Sequence, residues 1–277
     1  MLGVILATIG GLFEEASSAI GKFEVSKHRE SVYSMAFLGM FWGVFFYLGI
    51  GIFRHSLVFS LASLPIFLTR AVFEIIQVYV STYATIKSDR STFAFVRTIT
   101  IPLLLAVDLF LGYAFKENQI VGITLIIGVF ILLLLNKGIK KDGMILTVFS
   151  AVNAVITISL FKYDILHYNS VEAEQTLMFA ILLSYFFGAD IMRAKENPLR
   201  LLVKPIFFAQ SATQGIATVL SGFAFLFAPP SVIIAASRSS AIVWSVVSGN
   251  RIFKEDHIVL KIVLLALCIV GIIFLAI

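Results

Sequence analysis

The sequence reads twice, and this constrains its fold more than any other feature. At an offset of 140 residues Gly3, Ile5, Leu6 and Lys22 fall on Gly143, Ile145, Leu146 and Lys162. Pro65-Ile66-Phe67 falls on Pro205-Ile206-Phe207, Ser81 on Ser221, Ala84 on Ala224 and Ser91 on Ser231. After a small net deletion, Phe115-Lys116-Glu117-Asn118 meets Phe253-Lys254-Glu255-Asp256. Each half holds five hydrophobic segments. Five is odd, so the second copy is expected to cross a membrane in the opposite sense to the first.

The segments are long enough to cross. Sixty per cent of the residues are hydrophobic and only 13% are charged, and mean hydropathy is +1.01, which excludes an ordinary soluble domain. Ten apolar stretches can be cut, at 2–21, 32–53, 60–86, 91–114, 119–136, 143–161, 173–192, 202–227, 230–250 and 257–277. At about 1.5 Å per residue each approaches the roughly 30 Å of a hydrocarbon core. The expected fold is therefore an all-α membrane protein of ten transmembrane helices, arranged as two inverted five-helix repeats over 1–139 and 140–277. The Lys137-Gly138-Ile139-Lys140-Lys141-Asp142-Gly143 link is the joint between them.

The loops leave no room for a soluble enzyme domain, and no G-x-x-x-x-G-K-[ST] phosphate loop occurs. No enzymatic activity and no cofactor are expected. The four histidines are scattered, so no metal centre is expected. The one cysteine, Cys268, cannot form an intrachain disulfide. The first stretch lacks a basic leader and is interrupted by Glu14-Glu15, so it reads as a retained helix rather than a cleaved signal. The formal charge of +5 is spread over membrane-edge loops, which is not a nucleic-acid footprint. Taking alternate loops, one side collects Lys22, Lys27, Arg29, Lys87, Arg90, Lys137, Lys140, Lys141, Arg193, Lys195, Arg200, Lys204, Arg251 and Lys254, and the other Arg54, Lys116 and Lys162. Basic loops stay cytoplasmic, which sets both termini outside the cytoplasm. The expected location is the cell (inner) membrane. Pro102 is expected to kink the fourth span, and Pro229-Pro230 to separate the eighth from the ninth.

Ionisable side chains within a bilayer cost about 2.5–3.5 kcal/mol each on insertion scales, so they face cavities or partners. Glu14 and Glu15, Arg70, Glu74 and Gln77, Arg97, Gln210 and Gln214, and Arg238 all fall inside spans. The repeat organises them. Arg70 maps to Gln210 and Glu74 to Gln214, giving each third helix a polar i, i+4 pair on one face. Arg97 and Arg238 match with a one-residue slip, whereas Glu14 and Glu15 map to Ala154 and Val155, beside Asn153. Plainer roles compete. Arg70 and Glu74 could neutralise each other, and Arg97 and Arg238 could reach back to the interface. Adjacent helical positions point about 100° apart, so only one of Glu14 and Glu15 is expected in a cavity. Asp108 and Asp190 read as edge residues. Trp42 and Trp244 lie deeper than interfacial tryptophans usually do.

With Gly10-Gly11 to Lys22 closing helix one and Phe-Lys-Glu opening the last helix of each copy, the whole chain resembles the drug/metabolite transporter superfamily, its EamA-like branch above all. The resemblance implies a central cavity between helices one, three, four, six, eight and nine. It also implies cytoplasmic termini, opposite to the loop count. It implies movement of a metabolite, amino acid, sugar phosphate, nucleotide sugar or small cation. On charge, Glu14, Glu15 and Glu74 balance Arg70, Arg97 and Arg238, which favours a small amphoteric, amino-acid-like solute moved by alternating access. Asn153, Gln210, Gln214 and Trp244 complete the expected lining. Competing readings are a flippase for an anionic or amine-modified lipid, an exporter of small organic cations, and a non-transporting scaffold. Glu14 and Glu15 have no cation within one turn of their own helix, so they are the expected carriers of a coupling proton, Glu14 ahead of Glu15.

Overall fold

The computed structural model describes residues 1–114, 116–135 and 143–251, with 263, 266–267 and 269–274. The repeat joint at 137–142, Phe115, the Phe253-Lys254-Glu255 turn, Cys268 and most of the tenth span lie outside the described residues.

All regular structure among the described residues is helical. In chain order the helices are α1 (Leu2–Ser26), α2 (Val32–Phe53), α3 (Leu64–Lys87), α4 (Arg90–Val96), α5 (Thr100–Phe110), α6 (Glu117–Leu135), α7 (Met144–His167), α8 (Val171–Ala189), α9 (Pro198–Leu202), α10 (Pro205–Ala224) and α11 (Pro230–Arg251). Seven of the described helical segments are long and apolar enough to cross a bilayer: Leu2–Ser26, Val32–Phe53, Leu61–Lys87, Arg90–Phe110, Met144–His167, Val171–Ala194 and Pro230–Ser248. This is the make-up of a multi-pass membrane protein, with fewer qualifying spans than the ten cut from the sequence. The expected eighth span, α10, is long enough but carries Gln210, Ser211, Thr213 and Gln214. The expected fifth span corresponds to α6, Glu117–Leu135.

Local sequence explains most boundaries. Ser31 opens α2, its hydroxyl accepting from the Ser34 amide at 2.9 Å, and Ser170 opens α8 in the same way, accepting from Ala173 at 3.2 Å. Pro65 and Pro205, repeat mates in the sequence, sit in the first turns of α3 and α10, where a missing N–H costs nothing. The fourth span departs from a regular α-helix just before Pro102. Pro102 cannot donate to the carbonyl of Thr98 and its ring crowds that group, and the chain tightens there into a 3₁₀ turn over Arg97–Ile99 between α4 and α5. Past α8, a π turn over Asp190–Ala194 ends the seventh span.

Packing makes a ring. α1 lies between α10 and α11, and α7 lies between α3 and the α4–α5 pair. α2 packs along both α8 and α10, and α11 joins α4 and α5. Gly10 and Gly11 explain how α1 seats between two neighbours. A Cβ at Gly10 would stand 2.6 Å from the Ser221 hydroxyl, and one at Gly11 would stand 2.6 Å from the Ser237 carbonyl. The closure of the ring is its weak part, because α3 makes only sparse contact with α1, α2 and α8.

Candidate functional site

Inside the ring lie two cavities, the first richly polar and the second largely apolar with a few polar groups. The first, of about 220 Å³, is lined from α1 by Glu14, Ser17 and Ser18, from α2 by Met35, Ala36, Gly39 and Met40, from α3 by Glu74, Gln77, Ser81, Thr82 and Thr85, and by Arg97, Gln210 and Gln214. The second, of about 190 Å³, lies among α2, α3, α7, α8 and α10 and is lined by Arg70, Glu74, Thr157, Gln175 and Ser221 among others.

The charges inside are paired between helices, not along them. Arg70 donates to Glu174 Oε1 at 2.7 Å and to Gln175 at 3.2 Å, both on α8. Asn169 donates to the other Glu174 oxygen at 2.7 Å, so this buried pair is anchored on both sides. The i, i+4 ion pair of Arg70 with Glu74 is therefore not formed. One Glu74 oxygen, Oε2, is buried and has no hydrogen-bond partner among the described residues.

Glu14 and Glu15 diverge. Glu14 lines the first cavity, where one of its oxygens accepts from Arg97 at 3.0 Å and from Arg238 at 3.2 Å. Glu15 turns the other way. Arg90 donates to both of its oxygens, from Nε at 3.0 Å and from Nη2 at 2.5 Å, and the Ser248 hydroxyl adds a third bond at 3.1 Å. Both carboxylates thus have guanidinium partners from other helices, which a count of the cations on α1 alone did not include. Reading one helix at a time missed those partners. Arg90, expected in a loop, is 1% exposed. Arg97 and Arg238 turn inward to Glu14 rather than outward to the interface.

The remaining expected residues divide. Gln210 and Gln214 line the first cavity. Gln210 also donates to Glu30 at 2.9 Å, and its carbonyl accepts from Ser17 at 2.8 Å. Asn153 stands behind the cavity wall, donating to Gln77 at 2.9 Å and to the Phe73 carbonyl at 3.0 Å. Trp244 lies away from both cavities, 41% exposed, beside an apolar groove of about 500 Å³ between α1, α10 and α11. Trp42 packs against Phe208 of α10, their ring centroids 5.5 Å apart. Asp108 and Asp190 lie at span ends as expected, but both are buried: Asp108 accepts from the Ser231 amide at 2.8 Å, and Asp190 accepts from the Ser31 and Ser34 hydroxyls.

Sequence reasoning missed Ser81, Thr85 and Met40 on the cavity walls and Glu174 and Arg90 as partners. A signal existed for the first two. Arg70, Glu74, Gln77, Ser81 and Thr85 follow one another at spacings of three and four, one polar stripe along a single helix face.

No family model matches this chain, and no curated protein matches it.

Proposed function

We propose that the protein is a secondary transporter of a small polar, amphoteric metabolite, working by alternating access, with ten transmembrane helices in two inverted repeats as in the EamA-like drug/metabolite transporters. The observation that carries this reading is the polarity of the first cavity. The Glu14–Arg97–Arg238 group has one carboxylate for two guanidiniums, a surplus of one positive charge with Arg97 on the wall. Glu74 lines the same cavity and is not neutralised: its buried Oε2 has no hydrogen-bond partner among the described residues. A solute bearing both a carboxylate and an ammonium group matches the two poles, and a bare cation or polyanion matches only one.

The interior geometry supports the inverted repeat. Lys22 of α1 donates to the Ser88 carbonyl just past α3, and Lys162 of α7 donates to the Phe225 carbonyl and, at 3.5 Å, to that of Ala228 just past α10. Lys22 and Lys162, and Ser88 and Ala228, are each separated by the 140 residues of the sequence repeat. Packing of α1 on α10 has its counterpart in α7 on α3. One counterpart is unequal: α10 packs closely along α2, while α3 touches α8 sparsely. An inverted-repeat transporter caught in one of its two states has that inequality, and exchanging the two contacts would produce the other state.

The test is uptake by purified protein in liposomes, screened with labelled amino acids, sugars, nucleotides and quaternary amines. Uptake of an amino-acid-like solute is expected. Uptake confined to cations would replace the amphoteric reading with a cation exporter. The groove beside Trp244 reaches Glu15 and Ser248 and favours the flippase as second reading. Translocation of a fluorescent phospholipid without solute uptake would promote it.

A further inference from the structure

The two cavities share just two lining residues, Met40 of α2 and Glu74 of α3. They also occupy opposite halves of the bundle. The first lies toward the end of the ring where α1 and α3 finish and α2 and α10 begin, reaching Met35, Thr85 and Gln210. The second lies toward the end where α7 finishes and α8 begins, reaching Phe161, Gln175 and Phe225. Glu74 stands about 15 Å from one end of α3 and about 20 Å from the other at helical rise. A carboxylate at mid-depth, in the wall common to two cavities, with a buried oxygen lacking a partner among the described residues, is costly unless something occupies it.

We propose that Met40 and Glu74 form the neck of one passage through the protein, and that the Glu74 carboxylate is a binding site there for a primary ammonium group. The inference rests on the transporter reading and names the residue that hands the solute from one half of the passage to the other. The methionine suits the other wall, since an unbranched thioether changes rotamer at little cost and can swing aside. Arg70 does not compete for Glu74, because Glu174 and Gln175 hold its guanidinium. Glu14 is less suited to an ammonium group, since its carboxylate already serves two arginines.

Ser81 in the first cavity and Ser221 in the second are repeat mates, 140 residues apart. After Cys268→Ser, which removes the chain's one cysteine, Ser81→Cys and Ser221→Cys report the two cavities separately. A membrane-impermeant cationic thiol reagent is applied to right-side-out and inside-out vesicles. Ser81→Cys is expected to react from one face alone and Ser221→Cys from the other alone. Met40→Ala, which opens the neck, is expected to make Ser221→Cys reactive from both faces. Methylammonium chloride, against sodium chloride at equal ionic strength, is expected to slow labelling several-fold, and Glu74→Gln to abolish that protection with sidedness unchanged. Thr82→Cys and Thr218→Cys, in the same two cavities, serve if either serine variant fails to fold. Reaction of both positions from one face, an inert second cavity, or protection that survives Glu74→Gln would each overturn the proposal. Labelling needs no transported solute, so the expected pattern without any liposome uptake would sink the transporter reading and leave the neck standing.

Discussion

Arg70 is held by Glu174, 2.7 Å away on α8, while Glu74, one turn along its own helix, keeps an oxygen without a partner among the described residues. The pair crosses the sparse seam between α3 and α8, and both side chains are almost fully buried. Removing one charge from such a pair leaves the other uncompensated, at a cost of about 3–5 kcal/mol, whereas removing both is far milder. Arg70→Gln should therefore lower the melting temperature of detergent-solubilised protein sharply. Adding Glu174→Gln should recover most of the loss. Equal destabilisation by the single and double variants would mean that the pair contributes nothing as a pair.

Glu14 separates Arg97 from Arg238 electrostatically. Glu14→Gln would set two guanidiniums together with no anion between them, so it should impair both folding and transport. Arg97 lines the cavity and Arg238 does not. Arg97→Gln should therefore raise the half-saturation concentration for an amino-acid-like solute by roughly 10–100-fold, the worth of one charge-assisted hydrogen bond of about 1.5–3 kcal/mol. Arg238→Gln should change it much less. Concentration-dependent uptake for the two arginine variants checks this, and equal effects would remove Arg97 from solute binding.

The sequence made the helices and their polar positions legible, because hydropathy and the 140-residue offset are local or linear signals. It did not make the pairings legible. Arg70 at i and Glu74 at i+4 look like partners along one helix, yet Glu174, 104 residues on, takes the arginine. Glu14 looked unpaired because its two cations come from the 97 and 238 positions of other helices. Which face a helix presents to which neighbour is set by close approaches such as Gly10 and Gly11 against α10 and α11, and one sequence does not show these before the chain is folded. The α3 stripe running on to Ser81 and Thr85 was readable and shows how far periodicity alone reaches.

Gly222 provides a test of the α2–α10 seam. A Cβ there would stand 1.9 Å from the Tyr47 hydroxyl, which donates to the Thr218 carbonyl at 2.5 Å. Tyr47 is fully buried, so its ring cannot simply swing into solvent. Gly222→Ala should force the hydroxyl off Thr218 and open the seam, costing about 1–3 kcal/mol as overpacking does. Tyr47→Phe in the same chain does not relieve the ring contact but removes the clashing oxygen, so the double variant should be more stable than Gly222→Ala alone. Thermal unfolding of the three variants checks the order.

The turn between α1 and α2 should respond to pH through Glu30. Burial pushes its carboxyl well above the ordinary range, and the neighbouring carboxylates of Glu24, Glu196 and Asp190 push the same way against one opposing hydrogen bond from Gln210. Arg29 is the nearby cation and pairs with Glu24 at 3.6 Å, itself largely exposed. The geometry independently shows a shortage of protons here: the Ser34 hydroxyl lies 2.6 Å from Asp190 and 3.0 Å from Glu196 but has one hydrogen to give. An acid whose folded value is raised favours the fold in its protonated form. Its stabilisation is complete below the ordinary carboxylate range and is lost as pH rises toward and through the raised value. Hydrogen exchange in the 27–31 turn should therefore quicken, beyond its intrinsic pH dependence, as pH rises from the ordinary carboxylate range. Glu30→Gln keeps the acceptor for Gln210 without a charge, so it should flatten that excess and stabilise the turn at neutral pH. An unchanged pH response in Glu30→Gln would assign the effect to Asp190 and Glu196 instead.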